Sequence, residues 1–196
     1  MIALVGMPGG GKSTVGRQLA RRLSFPFADS DAVIEHRLGT SIRQFFEQEG
    51  ETAFRDIEEQ VIGEQAVVSL GVLATGGGAV LRDANREILH ANCTVIYLRS
   101  SPDELFRRLR HDMHRPLLQV NNPLGRLREL YSQRDPLYRK TAHFVIETGR
   151  PSIHTLVNMI LMQLELAGLI TADVAPSSIG MVSAGPGSSP RADERR

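Results

Sequence analysis

A chain of 196 residues with 41% hydrophobic and 23% charged residues has room for one domain with inserted lobes, and such a chain buries roughly 70% of its unfolded surface on folding. The 23 basic and 22 acidic residues leave a net charge of +1, which excludes the strong basic field expected of a nucleic-acid or anionic-membrane binder. A single cysteine, Cys93, excludes an internal disulfide framework, and no apolar run approaches the about 18 residues of a transmembrane helix. The longest, 157–167, is interrupted by Asn158, Gln163 and Glu165. The opening MIALVGMPGG lacks the basic and long apolar regions of a secretory signal, so a soluble cytoplasmic globular protein is expected. No seam suggesting a dimer is visible, and a monomer is expected.

In chain order, short apolar runs at 2–5, 25–28, 72–75, 94–98 and 144–146 read as strands. Each is continuous rather than alternating, as strands buried on both faces of a parallel sheet are. Helix-period segments lie between them, at 12–23 and 51–67 among others. Ser101-Pro102-Asp103-Glu104 has a capping serine, a proline at the first helical position and a glutamate three residues after the cap. Ile153, Leu156, Val157, Ile160, Leu161 and Leu164 form one apolar stripe that Gly168 ends. Such alternation predicts an α/β fold with a doubly wound parallel sheet and helices on both faces.

Two stretches break the alternation. Residues 31 to about 71 are too many for one crossover helix and predict an extra helical lobe, and 111–125 (HDMHRPLLQVNNPLG) is polar and aperiodic, which reads as a lid loop. Beyond Thr171 the chain is rich in serine, glycine and proline, which predicts a disordered tail over 171–196 whose removal leaves activity and melting temperature nearly unchanged.

Gly6-Met-Pro-Gly9-Gly10-Gly11-Lys12-Ser13 matches the phosphate-loop pattern G-x-x-x-x-G-K-[ST], between an expected strand and an expected helix. Glycines at this spacing let backbone N–H groups converge on phosphate oxygens. The helix that follows adds unpaired amides and the positive end of its dipole. Lys12 is then positioned for the β- and γ-phosphates and the Ser13 hydroxyl for Mg²⁺. Lysine occurs only twice, at Lys12 and Lys140, against 21 arginines, so a lysine at this position carries more information than any single arginine. A GTPase reading fails, because neither a D-x-x-G nor an N-K-x-D string occurs.

A phosphate loop specifies a nucleotide, not a reaction. Asp29-Ser30-Asp31 follows the second expected strand, at the edge of the sheet where ligands bind in open α/β folds. Helix capping and chemistry (one carboxylate toward Mg²⁺, one accepting a proton) suit that pattern equally. Gly76-Gly77-Gly78 after the third strand exceeds what a turn needs and points to close approach of a ligand. His111 and His114 have no further ligand nearby for zinc, and Cys93, Phe45 and Phe46 read as packing residues.

With the phosphate loop, the Asp29/Asp31 pair, Phe54-Arg55 with Glu58, Gly76–Gly78, Arg115-Pro-Leu-Leu118 and Arg134-Asp-Pro-Leu-Tyr138 in this order, residues 1–167 resemble the shikimate kinases. The resemblance implies a nucleoside-monophosphate-kinase-like P-loop fold with a five-stranded parallel sheet, a substrate lobe (about 31–62) and a lid. It also implies transfer of the ATP γ-phosphoryl to the 3-hydroxyl of shikimate with Mg²⁺, a step of aromatic amino-acid biosynthesis. By the same resemblance, Gly9–Thr14, Arg108, Arg115 and Arg150 hold the nucleotide; Lys12, Asp31 and Arg115 act in catalysis; and Ser13 and Asp29 serve the metal. Asp31, Arg55, Gly76, Gly77, Gly78 and Arg134 hold the acid, the two arginines clamping its carboxylate. The nearest alternatives are a gluconate-type or nucleoside-monophosphate kinase of the same architecture and, further away, a non-catalytic nucleotide switch.

Overall fold

A computed structural model of the chain describes residues 1–109, 121–149 and 151–171. Five strands form one parallel sheet: β1 (Ile2–Val5), β2 (Phe27–Asp29), β3 (Val72–Ala74), β4 (Thr94–Arg99) and β5 (Phe144–Glu147), in the order β2-β3-β1-β4-β5. Leu4 pairs with Ala74 on one side and Ile96 on the other, so β1 is the central strand. Its alternate residues serve opposite faces. Ala3 and Val5 join the apolar cluster containing Leu73, Val95 and Tyr97, whereas Ile2 and Leu4 join the one containing Leu19, Ile160 and Leu161. Burial on both faces is what continuous apolar strands are for.

Seven helices complete the described fold: α1 (Lys12–Leu23), α2 (Ser30–Leu38), α3 (Ile42–Ala66), α4 (Asp83–Asn92), α5 (Pro102–Leu109), α6 (Pro123–Thr141) and α7 (Ile153–Leu166). The apolar stripe of α7 is buried against the Leu4 side of the sheet from Leu156 to Leu164, whereas Ile153, in the first turn, is exposed, and Gly168 follows that helix at φ +67°. At the start of α5, Ser101 N–H donates to Glu104 Oε2 at 2.9 Å and Glu104 N–H donates to Ser101 Oγ at 3.3 Å, a reciprocal capping box. Between β2 and β3, α2 and α3 pack around a small apolar cluster of their own, built on Ile34, Phe54 and Val61. Phe45 and Phe46 border that cluster, the Phe46 ring 4.5 Å from Phe54. Gly50, at φ 82° and ψ 176°, breaks the helical path of α3, so the Arg55 segment is aimed separately from the Ile42 end.

Several boundaries differ from the sequence reading: β3, β4 and β5 end one residue from the expected positions, and α3 begins at Ile42 rather than at residue 51. The second strand begins at Phe27, not at residue 25. Ser24 adopts the left-handed conformation and Phe25 N–H closes the helix end on Ala20 O at 2.9 Å, while Pro26 has no N–H to give a ladder. The stretch 111–125 is not a loop to its end: α6 begins at Pro123, with the Asn122 side chain accepting from Gly125 N–H at 2.9 Å and proline in the first turn. The rest of the expected lid, 111–120, and the expected tail, 172–196, lie outside the described residues.

Candidate active site

The site is built on the carboxyl ends of the strands. After β1 the chain turns through Gly6–Gly11 into α1. Gly11, at φ 88°, occupies the capping position of α1 and makes no side-chain cap. Only glycine holds that conformation without strain. The first amides of α1 therefore face outward as an anion cradle, with no acidic residue in the first turn to compete. Lys12 is buried, and its Nζ donates to Gly6 O at 2.8 Å and Met7 O at 2.9 Å, which draws the ammonium over the loop.

Asp29 uses its two oxygens on different partners. One oxygen, Oδ1, accepts from Asp31 N–H at 3.1 Å and caps α2; the other, Oδ2, accepts from the Ser13 hydroxyl at 2.5 Å. This second bond joins the two residues expected to serve Mg²⁺. Among the described residues no group of three or more carboxylate, histidine or cysteine side chains is arranged to hold a metal. A hydroxyl beside a carboxylate, both hard oxygen donors, nevertheless fits Mg²⁺, which keeps most of its shell for water and substrate phosphates.

Asp31 stands in the first turn of the same helix and lines a cavity of about 400 Å³ with Lys12, Ser13, Thr14, Asp29, Thr75 and Gly77. Burial, and then the Asp29 charge, push its carboxyl up from 3.8 to about 6; Lys12 opposes the rise, and Glu58 and Glu35 add to it. A carboxylate with that value is ionised at neutral pH yet basic enough to take a proton from a reacting hydroxyl.

A side chain at any of the three glycines would press on a neighbour. A Cβ on Gly76 would lie 2.6 Å from Asp31 Oδ1 and 2.9 Å from Glu58 Oε1; one on Gly77 would lie 2.5 Å from Pro8 Cγ; one on Gly78 would collide with the Arg55 guanidinium. Gly76 N–H donates to the buried Ser30 Oγ at 2.9 Å. Arg55 is mostly buried, donates to Glu58 Oε2 at 2.5 Å and to Glu51 Oε1 at 3.0 Å, and stacks over the Phe54 ring. Glu58 is 1% exposed, and that burial raises its pKa against the opposing Arg55 charge. On α6, which runs through Pro136, Arg134 Nη1 donates to Gly77 O at 3.1 Å, and so does the Tyr138 hydroxyl at 2.6 Å. The Arg134 Nε is buried and has no partner among the described residues.

On the other side of the phosphate loop a second cavity, about 420 Å³, shares Gly9, Gly11 and Thr14 with the first and is lined by Gly10, Arg108, Pro151, Ser152 and Leu156. Arg108 is held across the ends of β4 and β5, donating to Thr148 O and, at 3.5 Å, to Ser100 Oγ. The structure thus assembles every site residue expected from the sequence except Arg115 and Arg150, which lie outside the described residues. Roles for Ser30 and Tyr138 were not readable in advance. The Arg55–Glu58 pairing was, from its three-residue spacing on a helix.

A family profile described as shikimate kinase matches residues 8–165. The chain belongs to the shikimate kinase family. A shikimate kinase of Paracidovorax citrulli is 61% identical over 171 residues, covering 86% of this chain and 93% of that protein. One of Ralstonia nicotianae is 55% identical over 182 residues, covering 93% and 96%. Among solved structures, a shikimate kinase from Acinetobacter baumannii in complex with shikimate is similar with a TM-score of 0.80 at 45% identity, covering 87% of this chain and 94% of that one. These shikimate kinase relatives span nearly the whole length of the chain's described fold, so the P-loop kinase architecture and the enzyme class follow together.

Proposed function

We propose that the chain transfers the γ-phosphoryl group of ATP to the 3-hydroxyl of shikimate, with Asp31 as the base and Lys12 as the cation that accompanies the migrating charge. The observation that carries this reading is the single cavity lined by both Lys12 and Asp31. In the step, the acceptor oxygen forms its bond to the γ-phosphorus as the bond from that phosphorus to the β,γ-bridging oxygen breaks. The hydroxyl proton passes to the Asp31 carboxylate, and ADP leaves.

Phosphoryl transfer depends on placement and charge stabilisation more than on covalent help from the protein. The amides of the loop and of the α1 N-terminus cradle the phosphates, and Lys12 exchanges its carbonyl partners for phosphate oxygens. Ser13 and Asp29 would hold Mg²⁺, which would supply charge neutralisation to the phosphates. Arg55 and Arg134 meet the acid's carboxylate, because a guanidinium fork matches its two oxygens. The second cavity takes the base, with Arg108 on its wall; Arg115 and Arg150 keep the nucleotide roles implied by the family.

The test is ADP release with shikimate, gluconate and AMP offered as acceptors, with product identified by ³¹P NMR. Release that requires shikimate and Mg²⁺, and yields the 3-phosphate, is expected. Equal turnover of gluconate, or ADP release independent of any acceptor, overturns the reading.

A further inference from the structure

Gly77 O is gripped from one side by two donors of α6, Arg134 Nη1 and the Tyr138 hydroxyl. Residues four apart share a helix face, so the two act on the same carbonyl from adjacent turns. The shorter and more buried contact is that of the tyrosine: 2.6 Å, from a side chain that is 0% exposed. Its ring is fixed from behind. It packs 4.9 Å from the Tyr97 ring, and the Tyr97 hydroxyl donates to Asp135 Oδ1 at 2.8 Å. Asp135 in turn receives Arg139 Nε at 2.7 Å.

The peptide between Gly77 and Gly78 has a glycine on either side of it. Without Cβ atoms, local sterics do little to hold the plane of that peptide, so hydrogen bonds must hold it. The plane matters because Gly77 O takes up one nitrogen of Arg134. A guanidinium carries five N–H donors in one plane. With Nη1 donating to Gly77 O, one corner of the guanidinium is anchored, and the orientation of its remaining N–H fork, suited to the two oxygens of a carboxylate, follows from that anchor.

We infer that Tyr138 is a positioning residue for acid recognition: its hydroxyl pins the Gly77 carbonyl, and the pinned carbonyl anchors the Arg134 guanidinium in the orientation that meets the substrate carboxylate. This rests on the proposed carboxylate role of Arg134. It assigns to Tyr138 an effect on one chemical group of one substrate, which a purely packing tyrosine would not have.

The experiment compares wild type, Tyr138→Phe, Arg134→Ala and the double variant, using shikimate and its analogue with the carboxylate reduced to hydroxymethyl. Phenylalanine keeps the ring against Tyr97 and leaves Gly77 O its bond from Arg134, so no buried group is orphaned and the fold is retained. Loss of one such hydrogen bond raises KM for shikimate about three- to tenfold, with kcat and the KM for ATP held within about twofold. KM for the hydroxymethyl analogue stays the same, and Tyr138→Phe adds nothing once Arg134 is alanine. An equal KM rise for both acceptors, a full additional loss in the Arg134→Ala background, or an unchanged KM for shikimate overturns the inference. If Arg134→Ala itself leaves KM for shikimate unchanged, the carboxylate role of Arg134 fails and the inference falls with it. If only Tyr138→Phe is silent, that role stands and the inference alone is wrong.

Discussion

Asp31→Asn separates what the active site contributes to chemistry from what it costs the fold. Asp31 carries a carboxyl whose pKa is pushed from 3.8 to about 6, first by burial and then by Asp29. One pKa unit corresponds to about 1.4 kcal/mol, so holding this side chain ionised costs the native state about 3 kcal/mol at neutral pH. The folded form binds its proton more tightly than the unfolded form, so this penalty is absent below 3.8, grows as pH rises through the window to about 6, and is constant above it. Asparagine cannot ionise and escapes the penalty. For a domain of this size about 2–4 °C accompanies each kcal/mol, so the variant melts up to about 6–12 °C higher at slightly alkaline pH while losing catalysis. That is an upper bound, because the amide is itself desolvated. Differential scanning calorimetry of both proteins from about pH 8 to about pH 5 gives the comparison, and the stabilisation should shrink on acidification. A variant that is no more stable than the parent in alkali, or equally stabilised at both ends, would refute the account of why this carboxyl is perturbed.

The same raised pKa implies that kcat/KM for shikimate falls as pH drops through about 6, read from initial rates at subsaturating acid. Gly78→Ala places a methyl group against the Arg55 guanidinium; KM for shikimate should rise about tenfold or more with KM for ATP little changed. Lys12→Ala should lower kcat by about a hundredfold or more with retained circular dichroism. His143 accepts the Val95 N–H at its Nδ1 at 3.0 Å and stacks on His90, and burial followed by the His90 charge holds its pKa below 6.5. A group favoured in its neutral form lends stability that is full above 6.5 and is lost as pH falls below it. Relative to His143→Asn, which keeps an acceptor and cannot titrate, the parent should therefore lose stability on acidification in urea titrations.

Much of the fold was legible because buried parallel strands declare themselves as unbroken apolar runs, and the phosphate loop because its glycine and lysine spacing has few other uses. Local chemistry also marked the helix starts at Ser101 and the stop at Gly168. What stayed hidden depends on contacts made across the fold. Phe25 looks like a strand residue, yet it completes a helix end because Ser24 turns left-handed. The start of α6 was masked by the polar Asn121-Asn122-Pro123, a loop-like string that is also a cap and a first turn. Tyr138 reads as one more aromatic in a helix until Gly77, 61 residues away, is found at its hydroxyl. That Asp29 caps α2 with one oxygen and takes the Ser13 hydroxyl with the other could not be read by inspection, since Ser13 lies 16 residues away.

The strand order sets out the recognition tasks as a row. Neighbouring strands in a sheet are about 4.8 Å apart, and the order β2-β3-β1-β4-β5 puts Asp31 and Gly76–Gly78 at one end of that row, Lys12 and Ser13 in the middle and Arg108 with Thr148 at the other. On the proposed function, choice of alcohol and choice of base fall on opposite flanks, with the phosphates shared between them. Redesign for a different hydroxy-acid would then be a problem of α2, α3, α6 and the turn after β3, leaving the opposite flank untouched.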